Sequence, residues 1–282
     1  MRIDRISRRA FIVGAASTPL LSACSGENAA LTPAAPTPKA GIQLYTLRNV
    51  LAQDLPGTLN ALGRMGYAEV EGYADLEPPV DEFKAILSGA GLAMPSAHIG
   101  RERIRDNPGP EIERAAAMGY EYAVLNWLAP EERDTLDKYR AWADTANSFA
   151  EACKAVGVKF CWHNHEFELT PIDGVVPFDI LLERCDSNLV QFELDLYWAR
   201  VANVDLAAFV TQHKARIPMV HVKDMGADGA MADVGAGVID FASLFRQFQF
   251  EHYYAERDDA PDPLVSAAAM HDGLVAVLAG VR

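Results

Sequence analysis

Cysteine is scarce in this sequence, and its spacing argues against disulfides. The four cysteines are Cys24, Cys153, Cys161 and Cys185, and no two of them form a Cys-x-x-Cys motif. Apart from Cys24 they are an odd set of three without paired spacing, which argues against a disulfide framework. We therefore expect Cys153, Cys161 and Cys185 to be buried free thiols.

Positive charge is also in short supply. The chain has 25 Lys and Arg against 39 Asp and Glu, a formal net charge of −14. Because an acidic surface repels the phosphate backbone, we expect no nucleic-acid partner. No glycine-rich phosphate fingerprint follows the first predicted strand, which argues against a dinucleotide-binding fold.

The N-terminal residues predict an export signal. Arg8 and Arg9 form a twin-arginine pattern before an apolar stretch that is too short to span a bilayer, and Cys24 ends a sequence shaped like a bacterial lipobox. We predict a lipoprotein signal over 1–24, a flexible Pro- and Ala-rich tether over 25–39, and a location on the periplasmic face of a bacterial membrane. Membrane contact would then be only through a lipid on Cys24. A plain signal peptide with an accidental cysteine is the alternative.

The remaining segment, 40–282, predicts an α/β fold, a (β/α)8 TIM barrel of parallel strands. It has about 240 residues, close to the roughly 250 typical of that barrel. Short β-type runs alternate with amphipathic helical stretches throughout. The predicted strands are Gly41–Tyr45, Ala68–Glu71, Met94–His98, Tyr122–Asn126, Val158–His163, Val190–Asp195, Pro218–His221 and His252–Glu256. A doubly wound open sheet is the alternative.

The last four predicted strands end in residues that can bind a metal: His163, Asp195, His221 and Glu256. The carboxyl ends of parallel barrel strands line one mouth, where active sites are built. A divalent ion needs three or four imidazole and carboxylate ligands that converge from different elements. We therefore predict that these four residues bind one divalent ion. Polar caps at strand ends are the alternative for any one of them.

Two histidines, His163 and His165, lie one residue apart in the stretch FCWHNHEFEL. Alternate side chains of a strand point the same way, and two residues advance about 6.6 Å. We expect His163 to lie at ligand depth and His165 nearer the mouth, where it would act on the substrate. Which of the two is the ligand stays open, and two structural histidines are the alternative.

Several segments resemble the xylose-isomerase-like TIM barrel superfamily, in its sugar phosphate isomerase/epimerase branch. These are GVKFCWHNHEFEL, FELDLYWA, PMVHVKDM, GAGVIDF and AERD, and the resemblance extends over 41–258. It implies a sugar substrate and one divalent ion, manganese first, with zinc, cobalt or magnesium as alternatives. It also places Asp195, His221 and Glu256 on ligand positions and His98 against the substrate.

The sequence departs from better-characterised epimerases of this superfamily at His163, where they carry a glutamate. In those enzymes two metal-bound glutamates move protons on opposite faces of the sugar, and only Glu256 remains here. The resemblance therefore implies Glu256 as one catalytic residue. We expect His165 or Lys223 to move the proton on the other face of the sugar. Lys223 could instead pair with Asp224.

Three other residues are candidates for sugar binding. Glu71 could accept a hydrogen bond from a sugar hydroxyl or cap the next helix. Trp127 and Trp198 follow strands and suit sugar-stacking walls, although aromatic core packing is the commoner use.

Together these features predict a metal-dependent isomerase or epimerase that enolises a non-phosphorylated sugar next to its carbonyl. A 3-keto-glycoside lyase or hydrolase would use the same metal site, and a sugar-binding lipoprotein without catalysis is a rival from another class. A DNA-repair nuclease of the superfamily would need a basic groove. A homo-oligomer is compatible with the sequence.

Overall fold

The computed structural model describes residues 38–281, and within them the eight barrel strands form one closed, parallel sheet. The strands are β1 Ala40–Gln43, β2 Glu69–Gly72, β3 Ala93–Ile99, β4 Tyr122–Leu125, β5 Lys159–His163, β6 Val190–Asp195, β7 Met219–Val222 and β10 His252–Ala255. Their order around the barrel is β1-β10-β7-β6-β5-β4-β3-β2, so the predicted TIM barrel is confirmed and the open sheet is wrong. A short antiparallel hairpin, β8 Asp224–Met225 with β9 Met231–Ala232, follows β7.

Helices follow the strands and cover the outside of the barrel. They are α1 Arg48–Leu51, α2 Leu55–Met65, α3 Val80–Ala90, α4 Arg101–Asp106, α5 Pro108–Met118, α6 Leu136–Ala155, α7 Glu166–Leu169, α8 Pro177–Arg184, α9 Leu196–Val201, α10 Leu206–His213, α11 Phe241–Gln247 and α12 Pro263–Leu278. Local sequence explains their ends. The Asp54 side chain accepts a hydrogen bond from the backbone N–H of Gly57 and starts α2, and Gly66 ends it with φ 106°.

The core has two parts. A large cluster fills the space between the strands and the helices, where outward-facing Phe160, Phe192 and Leu194 are fully buried. A small second cluster, here called the barrel plug, consists of Tyr122, Val124, Cys161, Met219 and Tyr254. Because strand side chains alternate, the plug residues face inward and close the barrel between its two polar ends.

The predicted strand ends differ from the observed ones by at most two residues, the usual uncertainty of element boundaries. Helices α1, α4, α7 and α9 and the hairpin are short and lie in the connections. Cys153, Cys161 and Cys185 are buried and free, as expected.

Most of the predicted signal and tether, 1–37, lies outside the described residues, and their roles stay predictions. Within 38–281 no helix is both long and apolar enough to cross a membrane.

Candidate active site

Strand register brings the four predicted metal ligands to one end of the barrel. Asp195 on β6 is paired in register with His221 on β7, and His221 is paired with Tyr254 on β10, two residues before Glu256. His163 is the last residue of β5, the other neighbour of β6. Parallel pairing therefore places all four side chains at the carboxyl-terminal mouth, where the strand pattern predicts them.

The donor atoms of three of these residues converge, and His163 lies beside them. Asp195, His221 and Glu256 each offer one ligand atom, and these atoms lie within 4.8 Å of one another. His221 Nδ1 is 2.8 Å from Glu256 Oε2, and His163 Nε2 is 3.9 Å from Asp195 Oδ2. All four residues are buried. We call these four residues the ligand set.

Local structure leaves one oxygen of Asp195 for a ligand. Its Oδ1 accepts the backbone N–H of Trp198 and so caps α9, while its own backbone N–H donates to the Asn164 side chain. Its Oδ2 is buried without a hydrogen-bond partner, although the Lys223 ammonium lies 3.3 Å away. Burial raises the pKa of Asp195 to about 6. A buried, unpartnered carboxylate oxygen among imidazole and carboxylate donors fits a divalent ion such as manganese, zinc or cobalt.

Both ligand-set histidines are backed by buried carboxylates. His163 Nδ1 lies 2.9 Å from Glu193 Oε2, which leaves Nε2 to face Asp195. His221 Nε2 lies 2.6 Å from Glu71 Oε2, which leaves Nδ1 to face Glu256. Metal-binding histidines commonly have such a carboxylate behind them, which sets the orientation of the ring.

Lys223 is buried among carboxylates. Its Nζ is 2.8 Å from Glu256 Oε2 and 3.0 Å from Asp258 Oδ1. Burial alone would lower the pKa of Lys223, but Asp195, Glu256 and Asp258 raise it well above its usual value. The side chain is therefore an ammonium that can donate a proton or stabilise an anion, and it cannot act as a base in this state.

A cavity of about 430 Å³ opens above the ligand set. Its lining includes the aromatic rings of Tyr45, Tyr73 and Trp127 and the carboxylates of Asp75 and Asp258. Flat rings beside hydrogen-bonding groups suit the faces and hydroxyls of a sugar. A more open depression of similar volume lies between Asp179 and Arg216, away from the ligand set.

His165 lies at the wall of this cavity, beyond the end of β5. Glu168 accepts its backbone N–H at 2.8 Å, and the ring stacks on Phe167 with a centroid distance of 5.1 Å. Its Nδ1 is buried and has no hydrogen-bond partner. Burial lowers the pKa of His165 well below its usual value, so the ring is neutral at pH 7. An oriented, neutral imidazole can exchange a hydrogen bond or a proton with a bound molecule.

The four residues predicted to bind substrate fall in different places. His98 and Trp127 line the cavity. Trp198 lies beside His165, with ring centroids 5.5 Å apart, and its indole N–H is buried without a partner. Glu71 is fully buried, does not line the cavity and supports His221 instead.

Sequence reasoning missed Glu193, Asp258 and Tyr73. Glu193 lies inside β6, yet its position two residues before Asp195 places it on the same face, so strand alternation could have revealed it. Asp258 lies two residues after Glu256, so the same alternation could have revealed it. Tyr73 lies just after β2, and no pattern in the sequence singles it out.

Comparison with known proteins is consistent with this architecture. An inosose dehydratase from Geobacillus kaustophilus (strain HTA426) is 24% identical in an alignment 241 residues long, and the match covers 68% of this chain and 78% of that protein. A sugar phosphate isomerase/epimerase from Parabacteroides distasonis ATCC 8503 has a crystal structure that superposes with a TM-score of 0.71 at 23% identity, over 87% of this chain and 96% of that one. The IolI protein, solved with a zinc atom, has a TM-score of 0.67 at 14% identity, over 86% of this chain and 99% of that one.

These structural likenesses establish the fold, and the family follows from the sequence match. The family model described as xylose isomerase-like TIM barrel matches residues 59–255, more than half of the chain. The protein therefore belongs to the xylose isomerase-like TIM barrel family.

Proposed function

We propose that this protein is a divalent-metal-dependent isomerase or epimerase that removes a proton from the carbon next to a sugar carbonyl. The observation that carries the proposal is the convergence of Asp195, His221 and Glu256, with His163 3.9 Å from Asp195, directly under a sugar-sized cavity. Similarity to proteins named as a dehydratase and as an isomerase/epimerase supports a sugar substrate.

A divalent ion held by the ligand set would supply Lewis acidity that stabilises an enediolate. The chain's own residues would move the protons. His165 is neutral and unpartnered at Nδ1, so it can accept a proton from a substrate in the cavity. Lys223 keeps its proton and can stabilise a developing negative charge on oxygen. Glu256 would bind the ion and would also transfer a proton on the opposite face of the sugar.

We propose a substrate without a phosphate group. Among the described residues that line the cavity, Lys223 is the one side chain with a full positive charge, and carboxylates of Asp195, Glu256 and Asp258 already surround it. Asp75 and Asp258 would repel a phosphate dianion. Phosphate sites normally offer arginine, lysine or a row of backbone N–H groups.

A lyase or hydrolase acting on a 3-keto-glycoside is the second candidate. Once the enediolate has formed, loss of a substituent from the next carbon requires no second carboxylate on the opposite face. One observation favours this route: an inosose dehydratase is among the similar proteins. The family resemblance agrees with it, since it implies that better-characterised epimerases carry a glutamate at the position of His163.

The proposal is tested by metal analysis followed by proton exchange. The purified protein should carry about one divalent ion per chain. In D2O it should introduce deuterium next to the carbonyl of at least one keto-sugar, and the phosphate ester of that sugar should react poorly. An intact epimer or isomer identifies the first candidate, and loss of a substituent identifies the second. Sugar binding without any exchange would overturn both and indicate a binding lipoprotein.

A further inference from the structure

One buried carboxylate, Glu193, contacts three imidazole rings at once. Its Oε2 lies 2.8 Å from His98 Nε2, 2.9 Å from His163 Nδ1 and 3.2 Å from His221 Nε2. Glu193 is fully buried, and its Oε1 has no hydrogen-bond partner. The three rings pack around it with centroid distances of 4.5 to 5.3 Å. A charge so deep in the barrel is costly unless several donors stabilise it.

Strand register explains why these groups meet. Glu193 on β6 is paired in register with His163 on β5, so neighbouring side chains on the inner face of the barrel lie side by side. Asp195 follows two residues later on the same face, one layer nearer the mouth. One strand therefore supplies both a member of the ligand set and a carboxylate beneath that set.

The contacts of Glu193 determine which imidazole nitrogen carries a proton. A carboxylate can only accept hydrogen bonds, so the nitrogens that face it must be N–H groups. His163 then carries its proton on Nδ1, and its Nε2 presents a lone pair toward Asp195. His221 has a carboxylate at each ring nitrogen, Glu71 at Nε2 and Glu256 at Nδ1, so both nitrogens are N–H groups here, and Nδ1 presents a lone pair only once its proton has left. A metal-binding nitrogen needs such a lone pair.

The same oxygen also holds His98, whose ring lines the cavity. The ring of His98 stacks on that of His221 at 4° between planes. Glu193 thus links a residue of the substrate cavity to two members of the ligand set through one acceptor atom.

We propose that Glu193 is a positioning residue: it holds His163 in the tautomer that binds the metal and locks His98 against the cavity. This inference rests on the metal site of the proposed function. Glu193 itself would not bind the ion of the ligand set.

The rival explanation of the same contacts is a second metal site. Ligand atoms of His98, His163, Glu193 and His221 lie within 4.8 Å of one another, which also suits an ion. We favour the positioning role because the distances from Glu193 to His98 and His163 match N–H···O hydrogen bonds, and because the bond to His163 leaves the other nitrogen of that ring for the ligand set. Metal stoichiometry separates the two explanations.

The test compares E193Q with E69Q. Glutamine keeps the size of residue 193 and one acceptor oxygen but removes the charge. Glu69 is an equally suitable control, because it is a buried glutamate that also contacts a histidine, His252, but at the opposite end of the barrel. Each protein is stripped of metal and titrated with Zn2+ against a chelator. The visible spectrum of the Co2+ form and the melting temperature of the metal-free form are measured in parallel.

We expect E193Q to bind Zn2+ about 10- to 100-fold more weakly than the wild type and to change the Co2+ spectrum, since outer partners of ligating histidines have effects of that size. E69Q should match the wild type in both. E193A should weaken binding further, because no acceptor oxygen remains. A structural role alone would lower the melting temperature of metal-free E193Q and leave affinity and spectrum unchanged.

Two results would overturn the inference. One is an E193Q protein with wild-type Zn2+ affinity and Co2+ spectrum. The other is a wild type with two ions per chain, of which E193Q loses one, since Glu193 would then be a ligand. If the wild type binds no metal at all, the proposed function fails first, so the two failures are distinguishable.

Discussion

The two ends of the barrel both bury carboxylates beside histidines, but they differ in how completely these groups are paired. At the amino-terminal end, Glu69 accepts from Lys39 through Oε1 and contacts His252 through Oε2, both at 2.8 Å. At the carboxyl-terminal end, Asp195 has one buried oxygen, Oδ2, without a hydrogen-bond partner, and it faces His163 of the ligand set. Complete pairing indicates a structural cluster, and unpaired buried oxygens indicate a site that accepts a ligand.

The two ends also differ in how far cations balance their carboxyl groups. The carboxyl end holds the carboxyl groups of Glu71, Glu193, Asp195, Glu256 and Asp258, and the Lys223 ammonium lies within 3.3 Å of the last three. This end therefore holds more carboxyl groups than fixed cations, which favours protons or a metal ion. The apolar barrel plug separates this end from the balanced cluster at the other.

Proximity alone does not make a metal site, as the amino end shows. Glu121, Glu251 and His252 also bring ligand atoms within 4.8 Å of one another. Glu251, however, already accepts a hydrogen bond from Tyr122 at 2.8 Å and lies 3.5 Å from the Lys159 ammonium. Both glutamates are exposed, so water and lysine can neutralise them at little cost.

Removing a histidine from each end is the strongest way to break this comparison. H221A should lose its metal and all measurable turnover, because a four-ligand site tolerates the loss of a ligand poorly. H252A, on the neighbouring strand, should keep about one ion per chain. Elemental analysis after dialysis checks both. Full occupancy in H221A, or an empty site in H252A, would reverse the roles of the two ends.

A smaller effect should separate the two histidines of the FCWHNHEFEL segment. H165A should keep its metal and lose turnover by roughly a hundredfold or more, the scale for removing a general acid or base. H163A should lose metal and turnover together, since its Nε2 faces Asp195. Metal analysis combined with single-turnover rates measures both. A metal-free H165A beside a metal-loaded H163A would show that the ligand on β5 is misassigned.

The sequence was sufficient to predict the barrel and its mouth because both depend on short-range signals. Alternating strands and helices, and polar residues at strand ends, locate Asp195, His221 and Glu256 without tertiary information. Glu71 shows where these short-range signals are insufficient. A glutamate at a strand end can face the cavity or lie beneath it, and only packing against His221 and Ser96 places it below. The partners of Glu193 come from three other strands, so its role depends on closure of the barrel.

The smallest expected effect concerns stability at the amino end. E69Q should keep metal and turnover but lose about 1–3 kcal/mol of unfolding free energy, the usual cost of leaving buried polar partners without a charged acceptor. Burial alone would raise the pKa of Glu69, but hydrogen bonds from His252 and Lys39 lower it. Burial alone would lower the pKa of His252, but Glu69 raises it.

These two shifts define the pH window of the effect. The lowered pKa of Glu69 adds stability above its unfolded-state value of about 4.3, and that part is lost as the pH falls through the folded-state pKa. The raised pKa of His252 adds stability in full below about pH 6.5, and that part is lost as the pH rises through its folded-state pKa. The stability difference between wild type and E69Q should therefore be largest between about pH 4.3 and 6.5. Urea unfolding of the metal-free proteins at pH 5.5 and pH 8.5 measures it, and a larger difference at pH 8.5 would contradict the pairing of Glu69 with His252.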